Sequence, residues 1–170
     1  AHPRDLHSFP TRRSSDLEAH WAEIETSVGE FENEASALAY FERSYLPEIE
    51  LLQRRCMFAV DNAGHYAGTC TAWHAHKDNV QVGSLHWLAV KPEYQHHGLA
   101  SSLISKVMTL FAANNDFPVY LHTQTWSHRA ILLYRRFGFC LLQEETFAQY
   151  HNDYAQRSEE RRVGKECRSR

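Results

Sequence analysis

The chain has 170 residues, 43% of them apolar and 23% charged, and a formal net charge of −3. That length suits one domain around a single hydrophobic centre, with no internal repeat or low-complexity tract in its central part. No apolar run is long enough to span a bilayer and no signal peptide is visible, which argues against a membrane role and makes the cytoplasm the expected compartment.

In chain order, the first segment reads as foreign to the domain. His7–Leu17 can be encoded by one strand of a short DNA whose opposite strand encodes Arg157–Cys167. That DNA resembles a widely used short-read sequencing adapter. Residues 1–17 and 157–170 are therefore set aside as non-native segments, leaving 18–156 as the domain. The alternative is a pair of basic arms that bind nucleic acid. The two segments carry net charges of +1 and +3, so the domain between them carries −7. An acidic domain disfavours nucleic acid as a partner and suits attraction of a cationic substrate.

Glu18–Val28 and Ala35–Leu46 predict helices, with Trp21, Ile24, Leu38, Phe41 and Leu46 recurring at three- and four-residue steps and with Gly29 and Pro47 as punctuation. Cys56–Asp61 reads as a buried strand, Asn62-Ala63-Gly64 as a hairpin turn, and His65–His76 as the partner strand. Lys77–Asn79 makes a polar turn before a strand that ends at Val90. Ala100–Ala113 predicts a helix with Leu103, Ile104, Val107, Leu110 and Phe111 on one stripe, closed by residues 114–117. Pro118–Thr123 is a further strand, Ser127 can cap a helix running through Tyr134, and Gly138 ends that helix before a last strand, Phe139–Leu142. The order is α/β with a mixed sheet, antiparallel hairpins first and helical crossovers later. Cys56, Cys70 and Cys140 fall in strand-like apolar runs without metal-ligand spacing and read as reduced, buried thiols.

Leu88–Leu103, reading LAVKPEYQHHGLASSL, is the most informative stretch. A strand ends at Val90, Pro92 breaks it, and a loop with Gln95, His96, His97, Gly98 and Ala100 runs directly into a helix. The first N–H groups of a helix have no carbonyl partner and carry partial positive charge, so small residues there make an anion cradle for a pyrophosphate. The single glycine rules out a dinucleotide fingerprint. The bland reading is a surface turn before an amphipathic helix.

Val90, Pro92, Gln95, Gly98 and Ala100 resemble the acyl-CoA-binding motif of the GCN5-related N-acetyltransferases. One departure is His96, at a position where that family often has glycine. A second block, Ser127–Phe139, resembles the family's second motif at Ala130, Leu133, Tyr134, Gly138 and Phe139, with Ser127 where asparagine is common. Two motifs in the correct order are far more specific than either alone. The resemblance implies an α/β, mainly antiparallel central sheet flanked by helices. The family normally has a strand before its first helix, and here that place falls in adapter-like sequence. A sheet lacking its first strand, exposed at one edge and prone to aggregate, is therefore expected.

The resemblance also implies acetyl-CoA as co-substrate and a small-molecule or peptide amine as partner, with direct transfer through a ternary complex. Gln95, His96, His97, Gly98, Leu99, Ala100 and Ser101 would cradle the pyrophosphate, with Ser127 at the second helix start. Leu88 and Val90 would pair with the pantetheine amides. Tyr134 would protonate the leaving thiolate; its bland alternative is a packed phenol with a satisfied hydroxyl. His86 is the leading candidate to take the amine's proton, because imidazole titrates in the right range and strand alternation puts it on one face with Leu88 and Val90. A structural histidine within the sheet is the alternative, and His122 and Glu93 are weaker candidates. Arg129, Arg135 and Arg136 could help with phosphates or be plain solvated charge. His74, His76 and the His96-His97 pair lack a recognised ligand spacing, so no metal is expected. Rival readings are a non-catalytic acyl-CoA sensor or interaction domain and, if the termini are real, a nucleic-acid-binding domain. The acceptor amine is not legible, and a homodimer stays open.

Overall fold

Asn33 shows how local sequence sets the architecture. In the computed structural model, which describes residues 6–8, 14–77, 79–124 and 127–142, its side chain accepts from the Ser36 backbone N–H at 2.9 Å. The Ser36 hydroxyl lies 3.4 Å from the Asn33 N–H. This reciprocal cap starts helix α2, Glu34–Ser44. Helix α1, Ser14–Ser27, stops where Gly29 takes φ +81 and where the Gly29 and Glu30 N–H groups fold back onto the carbonyls of Thr26 and Glu25.

Pro47, read from sequence as a stop, instead lies within a 3-10 turn, Leu46–Glu48. That turn leads into an unforeseen short helix, α3, Ile49–Arg55. Proline lacks the N–H that a helix start leaves unused, so it opens the segment rather than closing it. The chain then enters strand β2, Cys56–Val60. Strand β3, Tyr66–Lys77, and strand β4, Val80–Val90, follow, then a 3-10 turn at Pro92–Tyr94. Helix α4, Leu99–Asn114, strand β5, Val119–Tyr120, and helix α5, His128–Arg136, complete the described elements.

The sheet is mixed. Its order is β1-β2-β3-β4-β5, with β1 and β3 antiparallel to β2 and β5 parallel to β4. The α/β class read from the sequence holds. At the edge expected to be bare, β1, Leu6–Ser8, pairs with Met57–Ala59 of β2. Two other expectations are corrected. The strand predicted over 118–123 shrinks to Val119–Tyr120, and Phe139–Leu142 forms no strand. Cys140 is accordingly exposed, whereas Cys56 and Cys70 are buried. An apolar run becomes a strand only where a ladder partner meets it, which a single segment cannot specify.

The described residues fall into two compact units: Ala1–His74 with Val82–Leu121, and Ala75–Gln81 with His122–Arg170. In the first, α1 and α2 lay Leu17, Trp21, Ile24, Ala37, Phe41 and Tyr45 over Cys56, Phe58, Tyr66, Trp73 and Ala89. Trp21 is the hub of this face, with the rings of Phe41, Tyr45 and Trp87 at centroid distances of 5.4, 5.9 and 5.7 Å. Helix α4 contacts β2 and buries Leu99, Leu103, Ile104, Val107 and Phe111. Gly83 is required where α4 meets β4, because an added Cβ would lie 2.4 Å from the Asp116 carbonyl oxygen and 3.1 Å from the Phe111 ring. Arg55, largely buried, donates to the Asp116 carboxylate at 2.6 Å and to the Ala72 carbonyl at 3.3 Å.

Candidate active site

Strands β4 and β5 pair only at Gly83↔Val119 and Ser84↔Tyr120. Beyond Ser84, β4 continues to Val90 with no β5 residue beside it. The Lys91 N–H bonds the Ala67 carbonyl of β3 at 2.9 Å. Successive peptide groups point to opposite edges of a strand, so Leu88 and Val90 direct theirs toward the open edge. These are the two residues to which the resemblance assigns backbone pairing with pantetheine. The Val90 carbonyl accepts Gln95 Nε2 at 2.9 Å, using one of its two lone pairs. Gln95 thus braces the end of the strand.

The loop between β4 and α4 is anchored at further points. Lys91, 8% exposed, donates from Nζ to Glu23 at 2.5 Å, and that bond holds the Glu23 carboxyl below its ordinary range. The Tyr94 hydroxyl donates to Asp61 at 2.9 Å. Asp61 also accepts the His65 backbone N–H at 2.9 Å. These bonds, the His65 N–H foremost, hold its carboxyl well below the usual range.

The loop then turns through two left-handed residues, His96 at φ +65 and Gly98 at φ +81. Glycine's frequency in the family at the His96 position acquires a physical reason, since a side chain there carries a conformational penalty. The His96 side chain is exposed. Gly98 is the N-cap of α4. A Cβ added to it would meet nothing within 4 Å, so its backbone angle and the open space above it, rather than crowding, call for glycine. The first bond of α4 runs from the Ser102 N–H to the Gly98 carbonyl at 3.1 Å. The N–H groups of Leu99, Ala100 and Ser101 find no carbonyl among the described residues. Three N–H donors at a helix start with open space beside them are an arrangement that can take an anion. His97, exposed, places Nδ1 3.4 Å from the Tyr94 carbonyl.

His86 precedes a second irregularity, Trp87 at φ +51. That left-handed residue interrupts the two-residue alternation on which placing His86, Leu88 and Val90 on one face relied. Trp87 and Ala89 pack onto the α1/α2 core. His86 Nδ1 is buried with no hydrogen-bond partner among the described residues. Burial, with His74 as a lesser cause, pushes its pKa down to about 4. The imidazole is therefore neutral at neutral pH.

Tyr134 belongs to the second unit. Its carbonyl accepts the Phe137 and Phe139 N–H groups at 2.9 and 3.2 Å, while the Gly138 N–H bonds Arg135 at 3.1 Å. Gly138 takes φ +87, and the Phe139 ring packs edge-on against the Tyr134 ring at 6.0 Å. The Gly-Phe pair is thus a helix terminator whose apolar contact grips the tyrosine. Ser127 is the N-cap of α5, as expected, but its side chain makes no capping bond. His122 has its pKa lowered by burial.

Reasoning from sequence passed over Glu25, which is 1% exposed. Its Oε1 has no partner among the described residues, and burial raises its carboxyl pKa well above the ordinary value. The signal was present: Glu25 lies on the apolar stripe of Trp21, Ile24 and Val28. Trp87's backbone gave no such signal.

The profile of the acetyltransferase (GNAT) family matches residues 18–139, and the chain belongs to that family. A curated relative, mycothiol acetyltransferase of Acidimicrobium ferrooxidans, is 27% identical over 154 residues, covering 85% of this chain and 47% of the relative. The chain thus spans about half that relative's length. The fold is shared with PH1933 from Pyrococcus horikoshii OT3 (TM-score 0.66, 16% identity, 84% of this chain and 92% of that one). It is shared too with a chain of the NatC complex bound to Gag peptide and CoA (0.63, 19%, 87% and 91%). The aminoglycoside N-acetyltransferase AAC(6')-Iy, in complex with CoA, is similar as well (0.62, 19%, 88% and 98%). No helix among the described residues is long and apolar enough to cross a membrane.

Proposed function

We propose that the chain transfers the acetyl group of acetyl-CoA to a primary amine by direct attack within a ternary complex. The observation that carries this reading is the braced loop with three N–H groups at the start of α4 that have no carbonyl partner among the described residues, beside the open edge of β4. The Leu99, Ala100 and Ser101 N–H groups would take the pyrophosphate, with Gln95, His96, His97 and Gly98 shaping the approach. Leu88 and the Val90 N–H would pair with pantetheine along the strand edge. CoA in the solved structures of two relatives supports the same ligand.

In the reaction, the ammonium first loses one proton to solvent, and the neutral amine forms a C–N bond to the thioester carbonyl, giving a tetrahedral intermediate that collapses with loss of the C–S bond. His86 accepts the nitrogen's proton, and by the family resemblance Tyr134 donates its hydroxyl proton to the departing thiolate, giving amide and free CoA. Ser127 helps to form the helix start behind Tyr134.

Thermal unfolding of the full chain with acetyl-CoA tests the cradle. At about 100 times Kd the ligand adds roughly 2.7 kcal/mol, visible as a rise in Tm. A thiol-release assay with a panel of amines tests transfer, and Tyr134→Phe should lower kcat by about 10²-fold. A Tm that acetyl-CoA leaves unmoved would overturn the reading. A Tm rise without transfer to any amine would instead mark a non-catalytic acyl-CoA-binding domain.

A further inference from the structure

Three half-buried aromatic rings meet where β4 leaves the proposed proton acceptor. The Trp87 ring lies 5.2 Å from Phe31 and 5.1 Å from Tyr40, and Phe31 lies 5.6 Å from Tyr40. The Trp87 indole N–H donates to the Tyr40 hydroxyl at 3.3 Å. Tyr40 already attracts a cation, with the Arg43 guanidinium 5.6 Å from its ring centre. Phe31 belongs to the α1–α2 connection, where Glu30, Glu32 and Glu34 are all exposed around it. Trp87 itself holds a left-handed backbone at φ +51, a conformation that a bulky residue adopts only at a cost and that tends to persist at functional sites. The kink lays the indole against Phe31 and Tyr40 directly after His86.

Resting on the transferase reading above, we infer that Phe31, Tyr40 and Trp87 form one wall of the acceptor subsite. The acceptor is then a cationic primary amine carrying a flat aromatic or apolar group, drawn in by the carboxylates of Glu30, Glu32 and Glu34. Aromatic faces reward apolar surface and an ammonium together, and the acidic rim raises the local concentration of a cation. A polyhydroxylated amine gains nothing from such a wall.

The test uses the full chain with saturating acetyl-CoA, measuring thiol release with 2-phenylethylamine, n-propylamine and glucosamine. The expected kcat/KM for 2-phenylethylamine exceeds that for n-propylamine by about 10- to 100-fold, the scale of burying a ring. Phe31→Ala should bring that ratio to within a few-fold, and Phe31→Leu should retain part of it. Replacing Glu30, Glu32 and Glu34 together by Gln, a surface change, should raise KM for 2-phenylethylamine at low salt and lose its effect at high salt. A wild-type ratio near one overturns the inference, as does a ratio that Phe31→Ala leaves intact. Absence of transfer to all three amines overturns it too. Transfer to some other amine of the wider panel then marks a wrong acceptor class, whereas no transfer to any amine marks a failed transferase reading.

Discussion

Glu25 Oε1 and His86 Nδ1 are both buried without hydrogen-bond partners among the described residues, and the two side chains tilt stability in opposite directions with pH. The His86 pKa lies at about 4 in the fold against an ordinary 6.5. The unfolded chain therefore binds this proton first, and stability falls as pH drops from about 6.5 to about 4. The Glu25 carboxyl is raised, so the folded chain holds its proton more tightly and stability falls as pH climbs above the unfolded carboxyl's range. Urea unfolding across this range should show His86→Asn flattening the acid-side loss. Glu25→Gln should steepen the decline on acidification and stabilise the protein at neutral pH. Identical pH profiles for wild type and Glu25→Gln would show that Glu25 is ionised in the fold.

At the scale of elements, the decisive piece is the passage from β4 into α4. Gly98→Ala places a methyl group in a left-handed residue, costing about 1–2 kcal/mol, and directs it into the open space beside the cradle donors. The expected result is a modest fall in Tm and at least about a tenfold weaker acetyl-CoA affinity by calorimetry. This passage was legible in the sequence because proline, glycine and a helical stripe follow one another within a dozen residues. The fold class was legible for the same reason, since long periodic segments declare their type. What the sequence hid depended on partners. Ile49–Arg55 was lost behind Pro47, whose missing N–H opens a helix as readily as it ends one. Phe139–Leu142 has a strand's composition, yet Leu141 and Leu142 are 46% and 38% exposed. His86, Tyr134 and the cradle loop were named from motif and chemistry. The kink at Trp87 and the Gln95–Val90 bond were not, because both arise from backbone geometry that no residue type announces.

Across the larger unit, Arg55 ties together pieces that are distant in the chain, bonding Ala72 on β3 and Asp116 just after α4. Both side chains are mostly shielded from solvent, at 11% and 17% exposure. Arg55→Met keeps much of the packing but leaves the Asp116 carboxylate uncompensated, with an expected loss of about 3 kcal/mol in urea unfolding. Adding Asp116→Asn should recover a large part of that loss, because the penalty comes from the orphaned charge. Recovery of nothing in the double variant would show that Arg55 acts through packing alone. The same unit carries the start of α4, so this clamp also supports the seat of that helix.

The one lysine at the mouth of the loop, Lys91, is committed to Glu23, and no Lys or Arg follows it through Ser101. A pyrophosphate bound there as proposed would be gripped by main-chain donors fixed in direction and not by mobile cations of the loop. Such a grip reads shape and bond angle more than charge density. Acetyl-CoA affinity should therefore weaken only gently between dilute buffer and brine, and the loop's side chains can drift over generations while the ligand stays the same.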